Sequence, residues 1–419
     1  MSGMNRYGRA AFWRRLLNAF GNGLLAEKIR RRTWRSGLWS LLRRWRVRHF
    51  HPVAPRKVLF ATTSCACTCN PKAIARELAR RHSDVDIVWI LDTTAWRACG
   101  GRSDTGRAVL RWTWSAYREL ATAKALVENS HLFVTRGNPA KRAGQFYMNT
   151  WHGSLGIKRL DAGRSASDGT GRANAATVDA LLSNSDFDDA VFAESPLAAA
   201  PRVRTGHPRN DVFFLPKEAK REIRRAVFAA LGLPDDVRLA LFAPTFRDDA
   251  LADGACAYDF AGWKAALEAR FGGSWTIALR LHPQDARALA EGLISFPSGV
   301  VNATDYADMQ ELLIAANAGI TDYSSWIYDY LLGGSPGFIF APDKSAYDQN
   351  HGFYFPLEST PFPVAETNEA LCAAIRAFDA DAFARAAAAF LAEKGCMEDG
   401  RASARAVDII EGWLGKEGA

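Results

Sequence analysis

Short apolar runs alternate with amphipathic stretches twice along the chain, and that alternation restricts it to one class of fold. The first series occupies residues 57–63, 85–91, 125–128, 145–150 and 180–183, with a helical period through Asn70, Ile74 and Leu78 and a helical stretch expected over 107–123. The second starts afresh near Pro234 with 237–242 and continues through 276–281, 300–302, 318–321 and 337–340. Strands buried on both faces read as continuous apolar runs, and parallel neighbours joined through helices require right-handed crossovers. The pattern therefore predicts an α/β protein with two doubly wound, Rossmann-like parallel sheets. A length of 419 residues suits two domains with extensions. We expect the domains at 51–215 and 216–365. Closing helices are expected over 366–419, from 368–393 and 403–414, one of them able to cross back to the first domain.

The net charge of +8 is unevenly spread. Residues 1–50 hold twelve arginines and one lysine against Glu27 alone, so everything after them is slightly acidic. Phe12, Trp13, Leu16, Leu17, Phe20 and Leu24 cover one helical arc with Arg14 and Arg15 opposite. Trp34, Leu38, Leu41, Leu42 and Trp45 form a second stripe flanked by Arg35, Arg43, Arg44 and Arg46. Aromatic and leucine faces backed by arginine suit helices lying in a membrane interface, where each cation near anionic lipid adds about 1 kcal/mol before screening. Residues 1–50 are thus expected to be amphipathic membrane-surface helices. Trp13, Phe20, Trp34 and Trp45 would insert, and Arg14, Arg15, Arg43 and Arg44 would meet an anionic membrane surface. Packing on the enzyme or a partner protein is a second reading of the same helices. Nucleic acid is a third and the least favoured. No run of eighteen apolar residues exists and the amino terminus lacks the form of a secretory signal, so the expected location is peripheral, on the cytoplasmic face of the membrane. Cys65, Cys67 and Cys69 alternate without the two-residue spacing of a zinc or redox pair, which points to reduced structural thiols.

In open parallel sheets the ligand lies beyond the carboxyl ends of the strands. In the second half those ends carry Ala243-Pro244-Thr245-Phe246-Arg247-Asp248, Arg280-Leu281-His282-Pro283 and Thr321-Asp322-Tyr323-Ser324-Ser325. Taken singly, a Ser-Ser pair before a helix is an N-cap and an arginine is a surface cation. Placed together after three strands, Thr245, Arg247, Arg280, Ser324 and Ser325 suit a diphosphate, whose charge guanidinium groups and helix-start N–H groups neutralise. In the first half, Trp151-His152-Gly153 ends a strand, and Gly153 allows close approach of a substrate. His152 and His282 thus stand at strand ends in different halves. His49, His51, His82, His131 and His351 are read as structural.

The ordered blocks Asn149-Thr150-Trp151-His152-Gly153, Thr205-Gly206-His207-Pro208-Arg209-Asn210-Asp211, Ala243 to Asp248, Arg280 to Pro283, and Thr321 to Ser325 with Asp329 resemble the CDP-glycerol glycerophosphotransferases that build teichoic acids and capsular polymers. Tyr347 with Gly352-Phe353-Tyr354-Phe355 completes the likeness. The resemblance implies a GT-B fold, two Rossmann-like domains facing across a cleft. It implies transfer of glycerol phosphate or a related polyol phosphate from CDP-glycerol or another CDP-alcohol to a lipid-linked or polymer acceptor, with release of CMP. His152 and His282 would be catalytic, His152 as general base on the acceptor side. Arg247, Arg280, Thr245, Ser324 and Ser325 would hold the donor diphosphate and Asp329 the ribose. Trp151, Gly153, Lys158, Arg209 and Asp211 would lie on the acceptor side. The family usually continues from His-Gly through Thr-Pro to a lysine, whereas this chain has Ser154-Leu155-Gly156-Ile157 before Lys158, which makes its acceptor loop its own. No cofactor and no metal cluster are expected, although a loosely bound Mg²⁺ on the donor is compatible with the sequence. A glycosyltransferase of the same fold and a catalytically silent membrane scaffold are the competing readings.

Overall fold

The structure, a computed structural model, describes residues 38–130, 141–154, 156, 159, 176–245, 258–282, 289 and 296–415, without the side chains of 38–41, 43, 44, 350 and 351. Trp13, Arg14, Arg15, Phe20, Trp34, Lys158 and Arg247 lie outside the described residues, as do the side chains of Arg43 and Arg44.

Seven strands form the first sheet: β1 (Ala54–Ala61), β2 (Asp86–Leu91), β3 (Arg107–Leu110), β4 (Ala123–Glu128), β5 (Phe146–Asn149), β6 (Ala180–Ser183) and β7 (Arg202–Arg204). All pair in parallel, in the order β3-β2-β1-β4-β5-β6-β7. The second sheet repeats the plan with β8 (Arg238–Phe242), β9 (Trp275–Leu279), β10 (Val301–Asn302), β11 (Ala318–Thr321), β12 (Gly337–Phe340) and β13 (Val364–Ala365), ordered β10-β9-β8-β11-β12-β13. Each sheet reverses direction of growth at one place, between β1 and β4 and between β8 and β11. Loops on either side of such a reversal leave in opposite directions, and the gap between them is where a ligand fits.

The apolar runs are continuous because both faces of each strand are covered. In β1, Val58 and Phe60 join a cluster with Ile74 and Leu78 from the helix Cys69–Arg81, while Leu59 and Ala61 join Leu120, Leu181 and Phe192 on the other face. The second sheet buries Trp263, Phe242 and Phe340 in edge-on contacts. Stretch 107–123 differs from the expected single helix. Ala108 and Val109 pair with β2, and the helix begins only at Trp114, where the Thr113 hydroxyl accepts the Ala116 N–H. The alanine-rich stretch splits at residues 377–379, since Asp379 caps a second helix, Ala380–Glu393. The last helix, Ala402–Leu414, returns to the first sheet: Ala406, Val407, Ile410 and Leu414 enter its core and Trp413 stacks on Phe146 at 5.0 Å. Among the described residues no helix is long and apolar enough to cross a membrane.

Buried polar groups join the two halves. The Arg209 guanidinium, 6% exposed, meets Asp329, 1% exposed, at 2.8 Å. Asn210 Nδ2 and Gln310 Nε2 donate to the same carboxylate at 2.9 and 3.0 Å. Lys72, on the helix after β1, reaches Asp308 at 2.6 Å and Glu311 at 2.7 Å, ahead of and within the helix Met309–Ala315 of the second half. Glu398 Oε1 accepts from the His207 N–H, Asn184 and Asn210 at 2.9–3.0 Å. Gly206 lets it come close: its φ is +79°, and a Cβ there would stand 2.8 Å from Glu398 Oε2.

These contacts correct three expectations. Asp329 does not present a carboxylate to a ribose, because both of its oxygens are spent inside the protein on Arg209, Asn210 and Gln310. Arg209 is interior and does not line an acceptor surface. Asp211 accepts the N–H groups of Ala402 and Ser403 at 2.9 and 2.7 Å, so it caps the closing helix.

Two consequences are measurable. Burial raises the Asp329 carboxyl, against the opposing pull of Arg209, Asn210 and Ser154. Asp329→Ala would strand the Arg209 charge and should cost about 3–5 kcal/mol in denaturant unfolding. Burial also pushes the Glu398 carboxyl up from 4.5 to about 7. The protonated form is the one favoured in the fold, so this contribution is complete below about pH 4.5 and is lost as pH rises through about 7. Between roughly pH 5 and 8, Glu398→Gln should therefore gain on the wild type by up to roughly 3 kcal/mol, read from paired unfolding curves.

Candidate active site

At the reversal point of the first sheet, the ends of β1, β4 and β5 converge on one imidazole. Asn129, directly after β4, accepts the Thr63 N–H from the end of β1 at 2.8 Å. Its backbone carbonyl is 2.7 Å from His152 Nδ1. A carbonyl only accepts, so Nδ1 carries a proton, and in the neutral form of the ring the lone pair is on Nε2. The ring, on an exposed residue, lies against the Trp151 indole with centroids 4.8 Å apart.

The chain reaches His152 through a strained turn. Trp151 has φ +54°, a left-handed conformation that costs a non-glycine residue roughly 1–2 kcal/mol. Local hydrogen bonds hold it there. Asn149 Oδ1 accepts the Trp151 N–H at 2.9 Å, and Asn70 Nδ2 donates to the carbonyls of Thr150 and Trp151 at 2.9 and 3.1 Å. Arg209 Nη1 donates to the carbonyl of His152.

The reversal point of the second sheet carries the hydroxyls. Thr245, after β8, gives its N–H and its hydroxyl to Asp322, after β11, at 2.8 and 2.9 Å. Ser324 and Ser325 follow on the same turn, half-buried, and Ser325 opens the helix Trp326–Leu331 without capping it by its side chain. Behind them Tyr323 stacks on Tyr347 at 3.8 Å and donates its hydroxyl to Asp343 at 2.7 Å. Arg280 turns toward the segment before Met309–Ala315: Nη1 meets Met309 Sδ at 2.8 Å and Nη2 the Ala307 carbonyl at 3.2 Å. Burial lowers its pKa, with Asp308 opposing. His282 is exposed just beyond β9, the neighbour of the strand that leads to Thr245.

Both halves meet at His152-Gly153. A Cβ on Gly153 would stand 3.7 Å from Ser325 Oγ, so this turn faces the serine turn of the other sheet directly. A little further on, the Arg159 N–H and Nε donate to the carbonyls of Gly352 and Phe353 at 3.1 and 3.3 Å. The structure thus groups His152, Trp151, Gly153 and Ser325 at one place, with Ser324 and Thr245 beside it. It keeps Arg209 and Asp329 in the interior and ties Asp211 to the start of the closing helix. Asn70 and Asn129 carry no expected role in the site, and Asp322, part of an expected block, carries none of its own, although each stands just after an apolar strand or at a helix start. Among the described residues no group of three or more His, Cys, Asp or Glu side chains is arranged to hold a metal ion. Chemically, the arrangement offers a proton acceptor opposite neutral hydroxyl donors.

Comparison with known proteins accords with this geometry. The chain is 28% identical over 378 residues to the teichoic acid poly(glycerol phosphate) polymerase of Bacillus subtilis, covering 86% of itself and 49% of that relative, about half its length. It is 26% identical over 357 residues to the teichoic acid glycerol-phosphate transferase of Staphylococcus aureus, covering 81% and 89%. The solved wall teichoic acid polymerase TagF, one variant of which was soaked with CDPG, shares the fold with a TM-score of 0.74 at 22% identity, over 97% of this chain and 98% of that one. Residues 44–412 match the family model of CDP-glycerol:poly(glycerophosphate) glycerophosphotransferases, and the chain belongs to that family.

Proposed function

We propose that the chain transfers glycerol phosphate, or a related polyol phosphate, from a CDP-alcohol to a hydroxyl of a membrane-associated acceptor in teichoic-acid-like or capsular polymer synthesis. One observation carries the reading: His152 has Nδ1 fixed on the Asn129 carbonyl, and its turn faces Ser325 of the second sheet. In this reading the two sheets belong to domains that face each other across a cleft, as in the GT-B fold, with the acceptor on the first and the donor on the second. The repeated strand order and the likeness to TagF favour it.

The acceptor oxygen attacks the phosphorus that bears the polyol. A P–O bond forms to the acceptor, the bond to the bridging oxygen breaks, and CMP leaves with that oxygen. The acceptor proton passes to His152 Nε2, a role typically worth about 10²- to 10⁴-fold in rate. His282, Arg280 and Arg247 neutralise the diphosphate, Ser324 and Ser325 donate hydrogen bonds to it, and Thr245, bound to Asp322, shapes the turn beside them. Lys158 stands on the acceptor side. The protein's contribution is positioning and charge stabilisation, which asks for no resident cofactor; a Mg²⁺ on the donor would arrive as part of the substrate.

Membrane attachment follows from the helix Leu38–Phe50. Val47 packs it against the cluster of Trp112, Tyr117 and Ala121, leaving Leu42, Trp45 and Phe50 at 44, 52 and 68% exposure. Exposed Trp, Phe and Leu beside arginines suit the headgroup region of an anionic bilayer. The other half of the anchor, Trp13, Phe20 and Trp34 with Arg14 and Arg15, extends the same composition.

A nucleotide-sugar transferase would release a nucleoside diphosphate and form a glycoside, and membership of the phosphotransferase family weighs against it. Screening CDP-glycerol, CDP-ribitol and nucleotide sugars for release of CMP separates these chemistries and selects the polyol. His152→Ala and His282→Ala should each reduce CMP release by at least about 10²-fold while the protein stays folded; full turnover in both would overturn the proposal. Changing Leu42, Trp45 and Phe50 together to serine should weaken binding to anionic liposomes yet preserve turnover on a soluble acceptor. Undiminished liposome binding would remove this helix from the anchor.

A further inference from the structure

We propose that Asn70 is a positioning residue for the transfer reaction, holding the backbone turn that aims His152 at the acceptor. The inference rests on His152 being the proton acceptor, and deepens that reading.

Asn70 is fully buried at the start of the helix Cys69–Arg81, and its amide nitrogen has no hydrogen to spare. Nδ2 donates to the Thr150 carbonyl at 2.9 Å and to the Trp151 carbonyl at 3.1 Å. Oδ1 accepts the Arg209 N–H at 3.0 Å. In an extended strand, successive carbonyls point to opposite sides, and one amide nitrogen could not reach two in a row. The two carbonyls flank residue 151, and the left-handed φ of +54° there turns them to the same side. The double donation and the strained turn therefore support each other.

What the turn fixes is the ring. His152 follows at once, with Nδ1 tied to Asn129 and its own carbonyl held by Arg209. Asn70 also receives the Arg209 N–H, so one side chain sets both the exit from β5 and the residue that bonds the His152 carbonyl. The hydrogen bonds of Asn70 go to Thr150, Trp151 and Arg209, and none of these residues is assigned to the donor. Its loss should tilt the base and leave donor binding alone.

Asn70→Asp isolates this function. The aspartate is the same size and keeps an acceptor for the Arg209 N–H, but it has no hydrogen to offer the two carbonyls. In the full-length protein, with CDP-glycerol and a soluble acceptor, kcat should fall by about 10²-fold, as expected of a misplacement on the order of 1 Å. KM for CDP-glycerol should hold within about two-fold, because uniform donor binding is untouched. Asn70→Ser, whose hydroxyl is too short to bridge both carbonyls, gives the same reading should the aspartate variant melt below the assay temperature. A packing role alone would lower the melting temperature and leave kcat of the folded protein unchanged, and that result overturns the proposal. So does a rise in KM with kcat intact. His152→Ala run in parallel separates the failures. Full turnover there removes the base itself, whereas a dead His152→Ala beside a fully active Asn70→Asp removes only the clamp.

Discussion

A single buried guanidinium ties the site to the fold. Arg209 bonds the backbone carbonyl of His152 on the first sheet and the carboxylate of Asp329 on the second. Neither charge has water to fall back on, so the pair is stable only while both halves stay docked and the donors from Asn210 and Gln310 remain in place. Lys72, bridging to Asp308 and Glu311, adds a second tie of the same kind close to Arg280. The geometry of the proton acceptor is thereby made a property of the whole molecule and not of its own loop.

The Trp151 turn shows why such over-determination is needed. A non-glycine residue at positive φ relaxes unless the surroundings forbid it. Here the bonds from Asn149, Asn70 and Arg209 fall on consecutive backbone groups, and the indole rests on Phe192 with centroids 5.7 Å apart. Glycine at 151 would adopt the turn without strain, yet it would remove the flat ring that lies against His152. The conformation thus supplies a surface beside the base, at a cost that the buried hydrogen bonds offset.

Much of the fold was legible because both faces of each central strand are buried. Residues such as Val58, Leu59 and Phe60 read as continuous apolar runs for that reason. The strands that escaped notice are edges: Arg202–Arg204 has one apolar residue between two arginines, and Val364–Ala365 is two residues long. The stretch 107–123 misled because Ala108 and Val109 suit a helix as well as a strand, and only pairing with β2 decides between them. Strand ends were legible as well, and His152, Thr245 and Ser325 stand where the apolar runs stop. Arg209 and Asp329 belong to motifs equally recognisable in sequence, but burial makes them interior ties, and no spacing rule separates a buried charge from one that meets a ligand. Asn70 and Asn129 work through backbone groups far away in sequence, which leaves no local pattern to find.

The account's central claim concerns which bond is broken, and the fate of one phosphorus decides it most directly. CDP-glycerol labelled with ³²P at the phosphate next to glycerol, incubated with the full-length protein and a hydroxyl-bearing acceptor, should deliver the label into an acceptor phosphodiester and leave unlabelled CMP. Label remaining on the nucleotide, as a nucleoside diphosphate, would contradict the account.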